Sequence, residues 1–294
     1  TTLAVALGGC AGDKEGESSS QITIGIPQDL EDSLDPHKAV AAGTKEVLFN
    51  LFEGLVKPTS DGDLIPAVAS AYEESEGGKV YTFTLRDGVK FHDGSLVTAE
   101  DVKFSLDKCA DTSNGGPLVP AFSNIESVTI ADDHTVVVTL QEADTEFLAY
   151  MTTAIIPKAN ENSDTNPIGT GPYKYVSRSP QENFIVERFD DYWGEKANIE
   201  NVTFKICANA DSIVMNLEGG SIDMFARVTA TQAAELSDKF DVLEGTMNLV
   251  QALYLNNAVA PFDDVRVRQA LSYAVNPQEI MDIISDGKGT ELGS

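Results

Sequence analysis

Histidine and cysteine are scarce in this sequence, with three of each among 294 residues. The cysteines have no zinc-type spacing, and so few histidines disfavour direct ligation of a metal ion. His37 lies in a turn, His92 on a strand before a turn and His134 at a hairpin tip, where each has an ordinary surface explanation. The sequence therefore predicts no metal site, and no cofactor is expected.

The sequence motifs that carry enzymatic reactions are also missing. No serine lies in a Gly-x-Ser-x-Gly elbow, no glycine-rich phosphate loop precedes a helix, and no His-Glu-x-x-His occurs. Three acidic pairs lie at predicted turns or helix caps, where carboxylates bond to the backbone: Asp132-Asp133, Asp190-Asp191 and Asp263-Asp264. We expect no catalytic residue, and we interpret the chain as a binding protein rather than an enzyme.

Basic residues are few relative to acidic ones. Twenty Lys and Arg against 47 Asp and Glu give a formal net charge of −27, which repels phosphate backbones and anionic lipid headgroups. Nucleic acid is therefore not an expected partner. The uncharged first ten residues, TTLAVALGGC, are far fewer than the roughly 20 that a helix needs to cross a bilayer, so they do not predict a transmembrane span.

Residues 81–106 contain the clearest local pattern of the chain. Apolar and polar residues alternate over 81–86, as in a half-buried strand, and Asp87-Gly88 then predicts a turn. Thr98 and Asp101 have the spacing of a helix capping box. The helix that follows has a predicted apolar face made of Val102, Leu106 and Cys109.

Elsewhere strand and helix patterns alternate, which indicates an α/β or α+β fold. Hairpins are predicted from strands 125–130 and 135–140, and from strands 173–177 and 184–188. Further predictions are helical pieces at 67–71 and 142–151, a helix capped by Asp211, helices at 229–236 and 265–275, and a strand at 248–255. We expect Cys109 and Cys207 to be separately buried thiols, with a disulfide between them as the alternative.

Five stretches together resemble the family 5 extracytoplasmic solute-binding proteins, the receptors of peptide and nickel ABC importers. They are SLDPHKA at 33–39, LFEGLV at 51–56, the segment 81–106, IGTGPYKY at 168–175 and PFDDVRVRQALSYAVN at 261–276. The resemblance implies an α/β, periplasmic-binding-protein-like (class II) fold of two lobes with an inserted α+β domain. Members of the family are much longer, so we expect an N-terminal fragment whose C-terminal part is missing.

The resemblance also implies a division into domains. We expect a discontinuous lobe I made of residues 21–52 and 167–250. Residues 53–166 would form an inserted domain II, and residues 251–294 would begin a lobe III.

The implied function is that of the substrate-binding component of an ABC importer, which captures oligopeptides or dipeptides outside the cell and delivers them to permease subunits. By the resemblance, the ligand-binding residues would be Val40, Ala41 and Ala42, together with Asn248, Val250 and Gln251. A monomer is expected. Two alternatives remain open: a receptor for a nickel chelate or another small solute, and a secreted hydrolase or surface adhesin on the same scaffold.

The N-terminal residues resemble the end of a bacterial lipoprotein signal peptide. Leu7-Gly8-Gly9-Cys10 follows an apolar run, as in a lipobox, and residues 11–20 read as a flexible polar tether. We therefore expect residues 1–10 to be a signal remnant with Cys10 as the lipidated residue. The protein would then be extracytoplasmic, anchored to the outer face of the cell membrane or periplasmic.

Overall fold

A computed structural model describes residues 20–113, 115–160, 163–226, 228–243, 245, 252–285, 287 and 289–291. The chain divides into two units at residue 226. The strands are β1 (Gln21–Ile26), β2 (Val56–Pro58), β3 (Leu64–Pro66), β4 (Ala69–Ser75), β5 (Val80–Leu85), β6 (Ile125–Asp132), β7 (Thr135–Leu140), β8 (Tyr173–Ser179), β9 (Asn183–Arg188), β10 (Asn201–Ile206) and β11 (Met224–Phe225).

The helices alternate with these strands along the chain. They are α1 (Ala42–Leu48), α2 (Ala99–Ala110), α3 (Ala210–Glu218), α4 (Ala230–Leu236), α5 (Val265–Ala274) and α6 (Pro277–Ser285), with short 3-10 helices at Pro120–Asn124 and Phe147–Thr152.

The first unit is built on a mixed five-stranded sheet in the order β11-β1-β10-β9-β8. β1 runs parallel to both β10 and β11, whereas β8, β9 and β10 pair antiparallel. This sheet takes its first strand from residues 21–26 and the others from residues 173–225. Its buried face packs against α1 through a cluster that includes Val47, Leu48, Phe184, Val186 and Phe204.

A second, antiparallel sheet of the same unit has the order β4-β5-β7-β6 and lies between β1 and β8 in sequence. Tyr81, Phe83 and Leu85 of β5 are buried while their neighbours are not, which confirms the predicted alternation. The predicted hairpins form as β6–β7 and β8–β9. The core of this sheet also contains Phe91, Phe122, Phe147 and the buried side of α2.

The helix that follows the second turn begins as its sequence predicts. Thr98 Oγ1 accepts the Asp101 backbone N–H, and the Asp101 carboxylate accepts the Thr98 N–H, which completes the capping box. Val102, Leu106 and Cys109 are fully buried, so the predicted apolar face of α2 is confirmed. Cys109 and Cys207 are both buried and free, as expected.

Several predicted elements were wrong. Residues 67–71 are not helical, because Ala67 and Ala69 donate to the Leu55 carbonyl and β4 begins at Ala69. The helix predicted at 142–151 is a 3-10 helix that begins only at Phe147. Asn209, not Asp211, caps α3, because its side chain accepts the Ser212 N–H.

The second unit contains α4, α5 and α6. The Thr229–Gln232 pair forms a complete capping box for α4, and Asp264 caps α5 by accepting the Arg266 N–H. Of the strand predicted at 248–255, residues 252–255 are not a strand, and 248–251 lie outside the described residues.

The return of the chain to the first sheet requires glycine at two positions. A Cβ at Gly169 would lie 2.0 Å from the Leu51 carbonyl oxygen, and one at Gly171 would lie 2.6 Å from that of Asn50. Gly171 N–H donates to the Leu51 oxygen at 2.9 Å. At both glycines the chain therefore lies directly against the backbone of residues 50 and 51.

His92 fixes the same segment, and the expectation of a surface histidine was wrong. Its Nδ1 accepts the Gly169 N–H at 3.2 Å, so Nε2 carries the proton and donates to the Gly171 carbonyl at 3.1 Å. The ring also packs edge-on against Phe189, with centroids 5.1 Å apart. Burial lowers the pKa of His92 to about 4, which keeps the ring neutral.

Replacing Gly169 with Ala should lower the free energy of unfolding by about 2 kcal/mol or more, because backbone on both sides must move to admit the methyl group. Gly43→Ala in α1 is the control, since the nearest atom to its Cβ is Gln28 Nε2 at 3.5 Å. Gly43→Ala should leave the free energy of unfolding unchanged or raise it by up to about 1 kcal/mol. Urea denaturation measures both, and equal effects of the two variants would contradict the close approach.

The stability of the protein should fall as pH drops from 6.5 to 4 because of His92. In this window the unfolded state, with a pKa of about 6.5, binds more protons than the folded state, so the loss approaches about 3 kcal/mol. We expect the stability difference between the wild type and His92→Asn to change across this window and to be constant above it. A difference independent of pH, measured by urea denaturation, would show that His92 is not buried neutral.

Candidate ligand-binding segment

The predicted ligand residues Val40, Ala41 and Ala42 are contiguous and lie where the loop after β1 enters α1. Val40 is 78% exposed, Ala42 is also exposed, and Ala41 is partly buried. Ala41 is the extended residue that immediately precedes the helix. The segment is therefore at the surface of the first unit. The other predicted site residues, Asn248, Val250, Gln251 and Cys10, lie outside the described residues.

The Glu31 carboxylate contacts this segment from earlier in the same loop. Its Oε2 accepts the Val40 N–H at 2.9 Å and the Ala41 N–H at 3.1 Å. The Glu31 backbone N–H donates to Thr44 Oγ1 at 3.1 Å, which ties it to α1. In the predicted ligand segment, two of the three backbone N–H groups are thus bonded within the protein.

Arg178 of β8 attaches the start of the loop to the five-stranded sheet. It donates to the carbonyl oxygens of Leu30 at 2.6 Å and Glu31 at 2.8 Å, and pairs with Asp29 at 3.1 Å. Burial would raise the pKa of Asp29, but bonds from Gln181 and Arg178 outweigh it and lower that pKa below its usual value.

Asp35 holds the middle of the loop against the second sheet. Its side chain is 1% exposed and accepts Lys108 Nζ of α2 at 2.6 Å, Ser163 Oγ at 3.0 Å and the His37 N–H at 3.0 Å. Burial would raise the pKa of Asp35, but the bond and charge of Lys108 outweigh it and lower that pKa. Asp35 therefore stays ionised and joins the loop to α2.

His37 was expected at the surface, and that expectation was wrong. Its side chain is 1% exposed, and Nε2 lies 2.7 Å from the Ala154 carbonyl oxygen, to which it donates. Burial lowers the pKa of His37, so the ring is neutral. Among the described residues, no group of three or more His, Cys, Asp or Glu side chains is placed to hold a metal ion.

Glu53 is the centre of a second polar cluster, at the exit from α1. Its carboxylate accepts Tyr192 Oη at 2.7 Å, Trp193 Nε1 at 2.6 Å and Lys57 Nζ at 3.0 Å. Lys57 Nζ and Arg86 Cζ lie 4.7 and 4.2 Å from the Trp193 ring centroid. An adjoining cavity of about 130 Å³ has mainly apolar walls. Trp193 is thus held in the fold by a hydrogen bond to Glu53 and by two cations against its ring.

The family resemblance indicated the segment Val40–Ala42, but the side chains that fix its position were not predicted from the sequence. Asp35 belongs to the stretch SLDPHKA, so the family resemblance drew attention to its position. Glu31, Lys108 and Arg178 had no such signal, because each acts through a partner in a different element or loop position.

Lys108→Ala should destabilise the protein by about 3 kcal/mol or more, because it leaves the buried Asp35 carboxylate without its counter-charge. Lys158→Ala, which removes an exposed ion pair with Glu100, is the control and should cost less than about 1 kcal/mol. Replacing the pair together, as Asp35→Leu with Lys108→Met, should recover part of the loss. Urea denaturation tests all three, and equal losses for the two lysine variants would contradict a buried pair.

No helix in the described part of the chain combines the length and the apolar character needed to cross a membrane.

Residues 63–294 match the sequence model of a protein family described as "Bacterial extracellular solute-binding proteins, family 5 Middle". Glutathione-binding protein GsiB of Pectobacterium atrosepticum is 30% identical over 269 residues, which are 88% of this chain and 52% of that protein.

Solved structures agree with this match. The oligopeptide-binding protein AppA of Bacillus subtilis, in complex with a nonapeptide, is 26% identical with a TM-score of 0.76, covering 92% of this chain and 57% of that one. NikZ of Campylobacter jejuni, in complex with Ni(L-His), is 27% identical with a TM-score of 0.78, covering 89% and 54%. The chain thus spans about half the length of the relatives it matches. With its mixed α/β, periplasmic-binding-protein-like fold, this chain belongs to the family 5 bacterial extracellular solute-binding proteins.

Proposed function

We propose that this chain is part of the substrate-binding component of an ABC importer, which captures oligopeptides or dipeptides outside the cell and delivers them to the membrane permease. The observation that carries the proposal is family membership over residues 63–294, together with relatives named for binding glutathione and oligopeptides. Such a receptor binds and releases its solute unchanged, so we also infer that the protein is not an enzyme.

The surface position of Val40–Ala42 supports a peptide as the ligand, which would bond to the backbone groups that Glu31 leaves free. Extended peptides are recognised largely through backbone hydrogen bonds, with pockets for side chains adding selectivity. A segment held by Asp35 and Arg178 is pre-positioned for this, since little entropy is lost in ordering it on binding. We retain Val40, Ala41 and Ala42, with Asn248, Val250 and Gln251, as the proposed ligand contacts.

The remaining parts of the proposal concern organisation and location. We propose that residues 21–52 with 167–250 form one lobe, that 53–166 are inserted into it and that 251–294 begin a further lobe. The sharing of one sheet by β1 and β8–β11 supports the first grouping. We further propose a monomer that is extracytoplasmic and held at the membrane by a lipid on Cys10.

A receptor for a nickel chelate is the second candidate, because NikZ in complex with Ni(L-His) shares this fold and 27% of the aligned sequence. In that case the solute would bring its own metal ligands. The two candidates differ in the ligand, not in the role of the protein.

Calorimetry on the full-length protein separates these candidates. We expect di- to pentapeptides to bind and to raise the melting temperature, with a gain of about 2.7 kcal/mol at one hundred times Kd, whereas Ni(II)-histidine and free amino acids do not. Binding of Ni(II)-histidine alone would select the second candidate, and turnover of peptides would overturn the receptor function.

A bulky residue over the proposed contacts should weaken binding. We expect Ala42→Trp to reduce peptide affinity about tenfold, a loss of roughly 1.4 kcal/mol, with little change in stability because the site is exposed. Ala71→Trp, at an exposed position of β4, is the matched control and should bind normally. Equal affinities of the two variants would place the ligand elsewhere.

A further inference from the structure

A cavity of about 130 Å³ lies where the chain passes between the two larger sheets of the first unit. Most of its wall comes from residues 49–58, which run from the end of α1 through β2. Thr152, Pro172 and Tyr192 supply the remainder. Phe49 and Thr152 are themselves exposed, so the cavity can be reached from solvent.

Backbone hydrogen bonds fix the walls of this cavity. The Asn50 carbonyl accepts the Tyr173 N–H at 3.1 Å, and the Glu53 carbonyl accepts the Ile155 N–H at 2.9 Å. Val56, also in the wall, is fully buried in the core of the second sheet. The walls therefore cannot move inward without breaking these bonds. The atoms that line the cavity lack dispersion contacts that a ligand of matching shape would supply.

The charged groups of the wall are paired with each other. The Glu53 carboxylate, whose side chain is 6% exposed, accepts hydrogen bonds from Lys57, Tyr192 and Trp193. Lys57 Nζ also donates to Tyr192 Oη at 3.0 Å. Because the Glu53–Lys57 pair is neutral as a whole, a charged ligand would lose its hydration without gaining an unpaired counter-charge. The wall thus disfavours both anions and cations.

The rest of the wall is mainly apolar and partly aromatic. It includes the rings of Phe49 and Phe52, which can make edge and face contacts with another ring. In another protein, an engineered apolar cavity of about 150 Å³ stays dry and binds benzene. The volume here, about 130 Å³, is close to that value, so it suits a single six-membered ring.

We propose that this cavity is a second binding site, which takes a neutral aromatic molecule of about the size of benzene. The site is separate from the described segment Val40–Ala42, since none of those residues lines it. It therefore goes beyond the proposed receptor function. A ligand here would contact both residues 49–58, which leave the first sheet, and Pro172, where the chain returns to it. It would stabilise the connection between the two sheets.

Methyl NMR on the full-length protein tests this site with benzene as the probe. We expect the Val56 methyl resonances to shift through the ring current of the bound molecule, with a Kd on the order of 1 mM. The methyl resonances of Val186, which is buried in the first sheet and does not line the cavity, should not move. Benzoate and benzylammonium carry a charge on the same ring and should bind at least about tenfold more weakly.

A blocking variant tests where the probe binds. Thr152→Trp puts a large side chain at an exposed position of the wall and should weaken benzene binding about tenfold or more. Ala71→Trp, at an exposed position of β4 outside the wall, is the matched control and should bind benzene normally. Ala42→Trp, in the proposed solute segment, should also bind it normally.

Three results would overturn the inference. The first is a Val56 resonance that does not move at about ten times the expected Kd, a readout that needs no variant. The second is equal benzene affinity in Thr152→Trp and Ala71→Trp, or a loss of affinity in Ala42→Trp, because the probe would then lie elsewhere. The third is binding of benzoate or benzylammonium as tight as that of benzene, which would contradict a neutral ligand. Peptide binding is measured separately, so none of these results bears on the receptor function.

Discussion

The buried carboxylate of Asp35 is the constraint on which the position of the surface segment depends. A charge that is 1% exposed must keep its partners, and these come from α2, from Ser163 and from the loop itself. The loop cannot move away from the second sheet without leaving either Asp35 or Lys108 uncompensated. Arg178 supplies the corresponding attachment to the first sheet. The surface segment Val40–Ala42 is therefore held from both sides.

Local patterns predicted the local parts of the fold. The alternation in β5 and the capping box of α2 each involve residues within a few positions of one another, and both form as the sequence indicates. Residues 67–71 show the limit of such reasoning. Alanine favours a helix, but the Leu55 carbonyl and the edge of β5 supply hydrogen bonds that a helix at this point would forgo.

The surface positions predicted for His37 and His92 were wrong because the residues that contact these rings are far away in the sequence. His37 reads as a surface turn residue because nothing near it in sequence covers it, whereas its partner Ala154 is 117 positions away. The family resemblance indicated Val40–Ala42 but could not show that Glu31, nine positions earlier than Val40, bonds to their amides. A loop has no periodicity from which such a bond could be inferred. Burial and partners of polar groups had to come from the fold.

The environment of Trp193 has a practical consequence. It is the sole tryptophan of this sequence, its indole N–H is bonded to Glu53, and two cations lie against its ring. Glu53 belongs to the stretch that leaves α1 for the second sheet, while Trp193 follows β9 of the first. Indole emission is sensitive to just these neighbours, so the chain carries a built-in optical reporter of whether its two sheets remain joined, readable without any label.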